Sequence, residues 1–590
     1  MNFNLFVVPF VVGLVYIILY VVIRFFIWIM KLEKEEKRMF RKAFFSFKLF
    51  SIIKEIFLES LIHRKIFKTN PVLGFMHASF AFGWFMLILV GTIESKMHSP
   101  NFFSAPYNPI FFQFFVHDYS DFKYASQFTF IMDFILSILL VATLMALAKR
   151  LYSSIFGMKR TTKQRPVDKI VITALWLIFP LRFLAESFTA GIYNNGGFLT
   201  QTFGNAFASF LPLESIELPA WWAYSLALFA FFLVLPFTRY MHIPTELLLI
   251  AMKKAGLREN KVFNSVSDVA VHSCSRCGIC IDACQLNSSL DKKNIVPAYF
   301  LRTIRDNELD VEAAEYCMMC GRCEAACPVG IETTMIRASK KFEERKSIAK
   351  VNIDYVGEIK SKTAKVAYYA GCAGHLTPSV YRSMIKIFKN ANVDYTFLDE
   401  ADGICCGKPM MQNGDYEGAE KMISLNKKLI ENSGATVLVT SCPFCLSVFK
   451  DEYKLDIRVI HHSQYIQELL NEGKIKVSAS GIKTYYHDPC ELGRSCGIVD
   501  EPRQVINKAS NLINKNYVEK LALCCGGSIA TTKVDMHENV KLNLDVLAQF
   551  EVNDYEMLVT GCPMCKKTFA TNSSRPVIDI AELVVNQMAN

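Results

Sequence analysis

The chain contains the stretch Cys274-Ser-Arg-Cys277-Gly-Ile-Cys280-Ile-Asp-Ala-Cys284 and, after it, Cys317-Met-Met-Cys320-Gly-Arg-Cys323-Glu-Ala-Ala-Cys327-Pro328. Both stretches space four cysteines as CxxCxxCxxxC. Three thiolates in one tight loop can bind three irons of a [4Fe–4S] cubane, while the fourth cysteine binds the other cluster. We therefore predict one cluster on Cys274, Cys277, Cys280 and Cys327, and another on Cys284, Cys317, Cys320 and Cys323. Zinc is disfavoured, because zinc sites use paired CxxC units.

The surroundings of these two ferredoxin-type runs are predicted to be helical. Apolar residues recur at helical spacing within Pro297–Leu309, which lies between the runs. Gln285 follows the first run where proline is usual, a departure that removes no ligand.

The last 230 or so residues are an internal duplication. Each copy has a single cysteine, a Cys-Cys-Gly and a Cys-Pro-x-Cys, and corresponding cysteines are offset by 118, 119, 119, 120 and 120 residues. The first copy has Cys372, Cys405, Cys406, Cys442 and Cys445; the second has Cys490, Cys524, Cys525, Cys562 and Cys565. Repetition at a fixed offset indicates two copies of one structural unit.

Short apolar runs alternate with helical stretches in both copies, which is typical of an α/β fold. Strands are predicted at Val366–Ala370, Thr396–Leu398, Thr436–Thr440, Thr484–His487, Lys520–Leu523 and Met557–Thr560. The cysteines then fall at the carboxyl ends of strands, the usual position of a site in open α/β sheets.

Five thiols in each copy are one more than a cubane requires, so we expect either a cluster of another geometry or a cluster with a spare thiolate for redox work. Cys-Pro-Phe-Cys and Cys-Pro-Met-Cys also match redox dithiols. Each of these motifs follows a single cysteine and a Cys-Cys-Gly at nearly the same spacing, and this shared spacing disfavours independent redox dithiols. Cys496 has no counterpart in the first copy and is interpreted as an ordinary thiol.

The first 250 residues are predicted to form a membrane bundle. Five apolar stretches are long enough to span a bilayer as helices: Leu5–Ile29, Val72–Ile93, Phe128–Ala148, Ile170–Thr189 and Trp221–Tyr240. The segments Lys31–Lys68 and Lys149–Lys169 are rich in Lys and Arg, whereas the other two loops have only Lys96 and Lys123. The positive-inside rule places the amino terminus outside and everything after Tyr240 in the cytoplasm.

Cysteine usage and charge agree with this placement. None of the 19 cysteines precedes Cys274, and patterned cysteines in a long chain indicate metal ligands in a reducing compartment. Much of the net charge of +10 flanks the apolar segments. Since no nucleic-acid motif accompanies it, we expect no nucleic-acid partner.

Histidines and charges near the spans suggest a cofactor site. His77 and His242 both lie near the cytoplasmic edge and could supply the two axial ligands of a b-type haem. Alternatively, both are polar residues at helix ends; His63 is a weaker candidate. Arg182 and Glu186 lie four residues apart in the fourth span. They are either a mutual ion pair or a contact for a haem propionate or quinone.

The repeat resembles a known domain. The spacing of its cysteines, with His487-Asp-Pro-Cys490-Glu-Leu-Gly-Arg494 and Asp500-Glu-Pro-Arg503, resembles the CCG domain of heterodisulfide reductase catalytic subunits. It is also similar to the iron–sulfur subunits of glycolate and lactate oxidases and of the sulfite-reductase-associated membrane complex. The resemblance covers about Cys274–Asn590 and implies a noncubane [4Fe–4S] cluster on the five cysteines of each copy.

The membrane half resembles the gamma-type haem b domain of nitrate reductase. Two haems would need two histidines on the second span and two on the last, but the outer end of the last has Trp222, Ala223 and Tyr224. The resemblance therefore implies at most one inner haem b, on His77 and His242. The fused architecture resembles quinone-linked oxidoreductases that accept electrons from electron-transfer flavoproteins.

Together these features predict an α-helical five-span membrane bundle over 1–250 and a helical two-cluster ferredoxin domain over 262–350. Duplicated α/β CCG domains are predicted over 362–475 and 476–590.

No glycine-rich nucleotide fingerprint is present, so a partner must exchange electrons with the chain. We predict an iron–sulfur oxidoreductase in a bacterial or archaeal plasma membrane. It would relay electrons between membrane quinone and a cytosolic electron-transfer flavoprotein or 2-hydroxy acid oxidase. The alternatives are a heterodisulfide or thiol-disulfide reductase with catalysis at a CCG cluster, fed from quinol, and a bare electron carrier.

Overall fold

The structure is a computed structural model of the 590-residue chain. It describes residues 3–99, 105–119, 122–152, 162–345, 362–401, 403–513, 519–528, 531 and 533–588. The predicted boundary at residue 350 and parts of the loops after the second and third spans lie outside these residues. The chain divides into two compact units: Met1–Arg258 with Asn264–Gly278, and Glu259–Phe263 with Ile279–Asn590.

The first unit contains five helices that are long and apolar enough to cross a membrane. They are Val7–Met30, Pro71–His98, Ala125–Leu151, Pro166–Tyr193 and Leu213–Val234, the last continued by a 3-10 turn at Leu235–Phe237. This confirms the five predicted apolar helices. The fifth begins eight residues before the predicted Trp221, because its first turns bury the polar Glu217, whose Oε1 accepts a 2.6 Å hydrogen bond from Thr189 Oγ1.

Shorter helices complete the first unit. They are Lys34–Phe44, Lys48–Ile56, Phe57–Leu61 (a π-helix), Arg64–Thr69, Phe112–Phe115, Phe198–Ala208, Arg239–Met241 (3-10), His242–Ala255 and Ser265–His272. Helix Phe198–Ala208 packs closely on Pro166–Tyr193, since a Cβ atom added at Gly191 would lie 2.6 Å from the carbonyl oxygen of Gly204.

The second unit begins with a helical region that contains the rest of the ferredoxin-type runs. Its helices are Ile279–Ala283, Gln285–Leu290, Lys293–Ile295 (3-10), Pro297–Arg305, Val311–Glu315, Arg322–Ala325 and Thr333–Arg345. The helix predicted over Pro297–Leu309 is present but ends at Arg305.

Two four-stranded parallel sheets follow, and both have the same topology. In the first copy the strands are β1 (Val366–Tyr369), β2 (Tyr395–Phe397), β3 (Val437–Thr440) and β4 (Arg458–His461), in the order β2-β1-β3-β4. In the second they are β5 (Lys483–His487), β6 (Asn511–Leu512), β7 (Met557–Thr560) and β8 (Val577–Asp579), in the order β6-β5-β7-β8. The sequence repeat is therefore a structural repeat, as predicted.

Helices cover both sheets. Those of the first copy are Gly371–His375, Pro378–Asn390, Lys408–Gln412, Tyr416–Asn432, Pro443–Asp451 and His462–Asn471. Those of the second are Glu491–Ser495 (π), Asp500–Ala509, Glu519–Leu521 (3-10), Met536–Phe550, Pro563–Asn572 and Ile580–Gln587.

One predicted strand is wrong. Residues Lys520–Leu523 form no strand, and β6 lies earlier in the chain, at Asn511–Leu512. The carbonyls of this segment are hydrogen-bonded to side chains instead of a neighbouring strand: Lys520 and Ala522 accept from Arg494 Nη1, and Leu523 accepts from His487 Nε2.

Candidate metal centres

The two ferredoxin-type runs have residues with positive φ angles at the same two positions. Arg276 and Met319, each two residues after the first cysteine of its run, have φ values of 52° and 54°. Gly278 and Gly321, each directly after the second cysteine, have φ values of 95° and 69°, a region that glycine adopts without strain. These turns fold each run back on itself.

The second unit brings Cys284, Cys317, Cys320 and Cys323 together. Burial raises the pKa of the Cys284 thiol to about 11, and the neighbouring Cys317 and Cys320 add to the rise. Burial also raises the pKa of Cys323, with Glu324, Cys320 and Cys317 adding to the effect. These four thiols are the set that the spacing predicts for one cubane. The other predicted set is divided, since Cys274 and Cys277 belong to the first unit and Cys280 and Cys327 to the second.

The first CCG site lies at the carboxyl ends of β1 and β3. The Cys405 thiol is hydrogen-bonded to Cys372 and Cys406, Cys406 contacts Cys445, and Cys445 contacts Cys442. Five thiols that are distant in sequence thus form one continuous group. Three of them, Cys406, Cys442 and Cys445, are buried.

The backbone around the first CCG site is adapted to these sulfur atoms. Gly371 has a φ of 72°, and a Cβ atom there would lie 2.8 Å from Cys445 Sγ. The buried Asp399 carboxylate accepts hydrogen bonds from the backbone N–H groups of Ala370 and Gly371, at 2.9 and 2.7 Å. Asn426 Nδ2 donates to the carbonyl of Cys405 at 2.9 Å. A side chain at residue 371 would therefore displace a sulfur atom.

The second CCG site repeats this arrangement at the ends of β5 and β7. Cys524 contacts Cys490 and Cys525, and Cys565 contacts both Cys525 and Cys562. Asn543 Nδ2 donates to the carbonyl of Cys525 at 2.8 Å, as Asn426 does in the first copy. A cavity next to this site is lined by its cysteines and by Met318, Met319, Phe444 and Met564.

The donor sets suit iron–sulfur chemistry. Hydrogen bonds from neighbouring thiols lower the pKa of Cys405 and of Cys525, while the same bonds raise the pKa of their partners Cys406 and Cys524. The thiolate is the form that binds a metal, and thiolate is a soft ligand that favours iron–sulfur clusters or zinc. Five grouped thiols exceed the four that a tetrahedral zinc site uses.

Cys496 contacts the Cys-Pro-Phe-Cys segment of the first CCG site. Its Sγ lies 3.9 Å from the carbonyl oxygen of Pro443, and burial raises the pKa of this thiol to about 12. A protonated, half-buried thiol fits the interpretation of Cys496 as an ordinary thiol.

His77 and His242 lie at the same end of the first unit. His77 is close enough to His242, His63, Lys149 and Arg239 to interact electrostatically with them, and its ring centroid lies 5.7 Å from that of His63. Nδ1 of His242 lies 2.7 Å from the carbonyl oxygen of Arg239. In a neutral imidazole, donation from Nδ1 leaves Nε2 as the nitrogen that can bind a metal.

A buried carboxylate links this end of the unit to the first ferredoxin-type run. Asp168 Oδ1 accepts from Arg276 Nη2 at 2.8 Å and from the N–H of Arg239 at 3.3 Å. Arg276 lies between Cys274 and Cys277, and Arg239 hydrogen-bonds His242. Asp168 was not among the predicted site residues, because an acidic residue in the first turn of a helix is common and does not stand out in the sequence.

Arg182 and Glu186 form a mutual ion pair, which is one of the two interpretations given above for these residues. Arg182 Nε lies 2.8 Å from Glu186 Oε1, and both side chains are buried. Tyr224 also hydrogen-bonds Arg182, and Glu94 interacts with both members of the pair. Glu94 was not predicted to be part of this group.

Comparisons with known proteins match the cluster-bearing part of the chain. The cysteine-rich CCG domain model matches residues 366–450 and 484–570, and a 4Fe-4S dicluster domain model matches 270–331. A subunit of the dihydromethanophenazine:CoB–CoM heterodisulfide reductase of Methanosarcina acetivorans is 23% identical over 404 residues, which cover 56% of this chain and 97% of that protein.

Two further relatives differ in their described roles. The EtfAB:quinone oxidoreductase of Syntrophomonas wolfei is 22% identical over 515 residues, covering 65% of this chain and 71% of that protein. A probable membrane-anchored ferredoxin of Chromohalobacter salexigens is 27% identical over 227 residues, covering 35% of this chain and 33% of that protein. The chain therefore contains two CCG domains and a 4Fe-4S dicluster domain, and it is similar in sequence to oxidoreductases that include a heterodisulfide reductase subunit and an EtfAB:quinone oxidoreductase.

Proposed function

We propose that this oxidoreductase relays electrons between a cytosolic redox partner and membrane quinone. The ferredoxin-type cysteines would hold two cubane [4Fe–4S] clusters and each CCG site a noncubane [4Fe–4S] cluster, while His77 and His242 would hold one haem b. Bound at these residues, the clusters and the haem would accept and donate single electrons. The cytosolic partner would be an electron-transfer flavoprotein, as in the name of the Syntrophomonas relative, or a 2-hydroxy acid oxidase.

The hydrogen bonds of Asp168 are the observation that carries this proposal. They connect the loop of Cys274 and Cys277 to the segment of His242, so the same carboxylate orders a predicted cluster loop and a predicted haem ligand. The Asp168 and Arg276 side chains are 1% and 6% exposed. Breaking such a buried pair costs about 3–5 kcal/mol, so the arrangement depends on this one carboxylate.

The buried pair of Asp168 and Arg276 offers a test of the relay. In membranes, reduced electron-transfer flavoprotein should bleach the iron–sulfur absorbance and reduce a water-soluble quinone analogue. In the Asp168→Asn variant, the bleaching should persist and quinone reduction should fall, because Arg276 loses its counter-charge and the cluster loop loses its anchor. Stopped-flow absorbance and quinone reduction measured on the same membranes check both results.

Asp133→Asn is the matched control. Asp133 is a second buried carboxylate of the same unit, and it accepts hydrogen bonds from the N–H groups of Leu199 and Thr200 at 2.7 and 2.9 Å. Neither of these hydrogen bonds involves a cysteine loop or a histidine. Equal loss of quinone reduction in both variants would count against the relay through the Asp168 region.

The orientation in the membrane is proposed on the basis of charge. Arg239, Lys149, His77 and His242 share one end of the first unit, and the basic segments favour a cytoplasmic location for that end. A phosphatase reporter, which is active only outside the cytoplasm, should be active when inserted at 195–196 and inactive when fused after residue 588. The opposite pattern would place the cysteines in an oxidising compartment and contradict the proposal.

A disulfide reductase is a second candidate because of the cavity at the second CCG site. Apolar side chains of both copies, Phe444 and Met564, line it together with the cluster cysteines, and one relative is named as part of a heterodisulfide reductase. Quinol-dependent thiol formation from a mixed disulfide, with no response to flavoprotein, would favour this candidate over the relay.

A further inference from the structure

Gln285 is the residue at which the first ferredoxin-type run departs from its usual sequence, and its side chain binds the second CCG site. Its Oε1 accepts a hydrogen bond from the backbone N–H of Cys524 at 2.6 Å, and its Nε2 donates to the carbonyl of the same residue at 3.1 Å. Both bonds are buried. The side chain thus satisfies both backbone polar groups of one cluster cysteine.

The local backbone would accept the usual proline. Gln285 is the first residue of helix Gln285–Leu290, where the N–H has no partner within the helix and proline is favoured. The preceding Cys284 has φ −84° and ψ 113°, the extended conformation that a residue before proline prefers. The glutamine is therefore not required by its own loop, and its two bonds to Cys524 are what it adds.

Arg494 makes a second connection between the same two elements. Its Nε donates to the carbonyl of Cys320 at 2.6 Å, and its Nη1 donates to Ala522 at 2.7 Å. The Cys320 thiol itself contacts the Cys524 thiol. The guanidinium therefore lies beside cysteines of both centres, where its positive charge offsets the repulsion between two anionic thiolate groups.

Further contacts from the second copy reach the same loop. Ser528 Oγ donates to the carbonyl of Met318 at 2.8 Å, and Thr531 Oγ1 donates to that of Glu315 at 2.7 Å. Among the described residues, the first copy hydrogen-bonds and packs on helix Thr333–Arg345: Lys341 Nζ donates to the carbonyl of Gln412, and Phe342 packs on Tyr416. Its Phe444 also lines the cavity next to Met318 and Met319. The two CCG copies are thus placed unequally.

We infer that Gln285 and Arg494 are positioning residues that hold the second CCG site against the cysteine loop of Cys317–Cys323. The second copy is thereby the one that exchanges electrons directly with the ferredoxin-type region, and the first copy is reached through it. This inference rests on the proposed function, since it requires a cluster at each of the two centres. It assigns different roles to two copies that share one fold and one cysteine pattern.

The Gln285→Pro variant of the full-length protein tests this inference. Proline keeps the loop conformation and removes both bonds to Cys524. In the fully reduced wild type, two paramagnetic clusters in contact should broaden each other's electron paramagnetic resonance signals. The variant should keep its full iron content and lose this broadening. Gln549→Ala is the control, because it removes a 3.1 Å glutamine hydrogen bond to the carbonyl of Asp545 in the same copy, and it should keep the broadening.

The outcomes are distinct. Unchanged broadening in Gln285→Pro at full iron content would overturn the inference and leave the proposed function intact. A wild-type iron content near half of that expected for four clusters would overturn both. If Gln285→Pro fails to fold, Gln285→Glu, which loses only the donor to the Cys524 carbonyl, should show weakened broadening, and unchanged broadening there would overturn the inference.

Discussion

Replacing both Cys524 and Cys525 with serine should remove one whole cluster and leave the others. If every predicted site holds a [4Fe–4S] cluster, the wild type purified under anaerobic conditions should contain about 16 iron atoms and the double variant about 12. The loss should be complete for that site, because both thiols lie in the middle of the contact chain that joins Cys490 to Cys565. Iron and acid-labile sulfide analysis measures it.

Two matched variants make this result specific. Cys405→Ser with Cys406→Ser alters the corresponding pair of the first copy and should also leave about 12 iron atoms. Cys496→Ser changes the cysteine that lies outside the pattern and should keep all of them. A wild type with about eight iron atoms and stoichiometric zinc would instead mean that the CCG sites hold zinc.

The second large effect concerns the haem. Replacing either His77 or His242 with alanine should abolish the b-type optical spectrum, because a haem that requires two axial imidazoles is lost when one is removed. The iron–sulfur signals should persist, since the clusters depend on cysteines and not on these histidines. Reduced-minus-oxidised optical spectra and iron analysis on the same samples separate the two cofactors.

His63→Ala is the control for the haem assignment. His63 lies 5.7 Å from His77, ring to ring, but it belongs to the basic segment that is predicted to be cytoplasmic, so its removal should leave the spectrum unchanged. If His63→Ala abolished the spectrum and His242→Ala did not, the second axial ligand would be His63. A wild type that binds no haem would refute the assignment of both His77 and His242.

The sequence predicted most of the helices and strands that a local pattern of apolar residues encodes. The apolar stretches indicated all five long helices, and the alternation of apolar runs indicated β1, β2, β3, β5 and β7 within a residue or two. It missed β4 at Arg458–His461 and β8 at Val577–Asp579, which are edge strands of four and three residues. Pairing with the one neighbouring strand decides that these edge strands form, and no pattern within the segment reveals that pairing.

The Lys520–Leu523 segment shows the opposite failure. Its apolar residues match a strand, yet its carbonyls are hydrogen-bonded to Arg494 and His487. Both side chains come from the end of β5 and the segment that follows it, 26 or more residues earlier in the chain. A pattern within the segment cannot reveal that these partners take the place of a neighbouring strand.

By itself, the sequence determined the cysteine pattern, the duplication, the five apolar helices and the α/β class of the repeat. Each of these is set by residue spacing and polarity along a continuous segment, which is where periodicity and ligand spacing reside. Only the tertiary structure decided which distant residues meet. Gln285 binds Cys524 across 239 residues and Arg276 binds Asp168 across 108. Such contacts follow from how whole elements pack, and packing brings together residues that no local pattern relates.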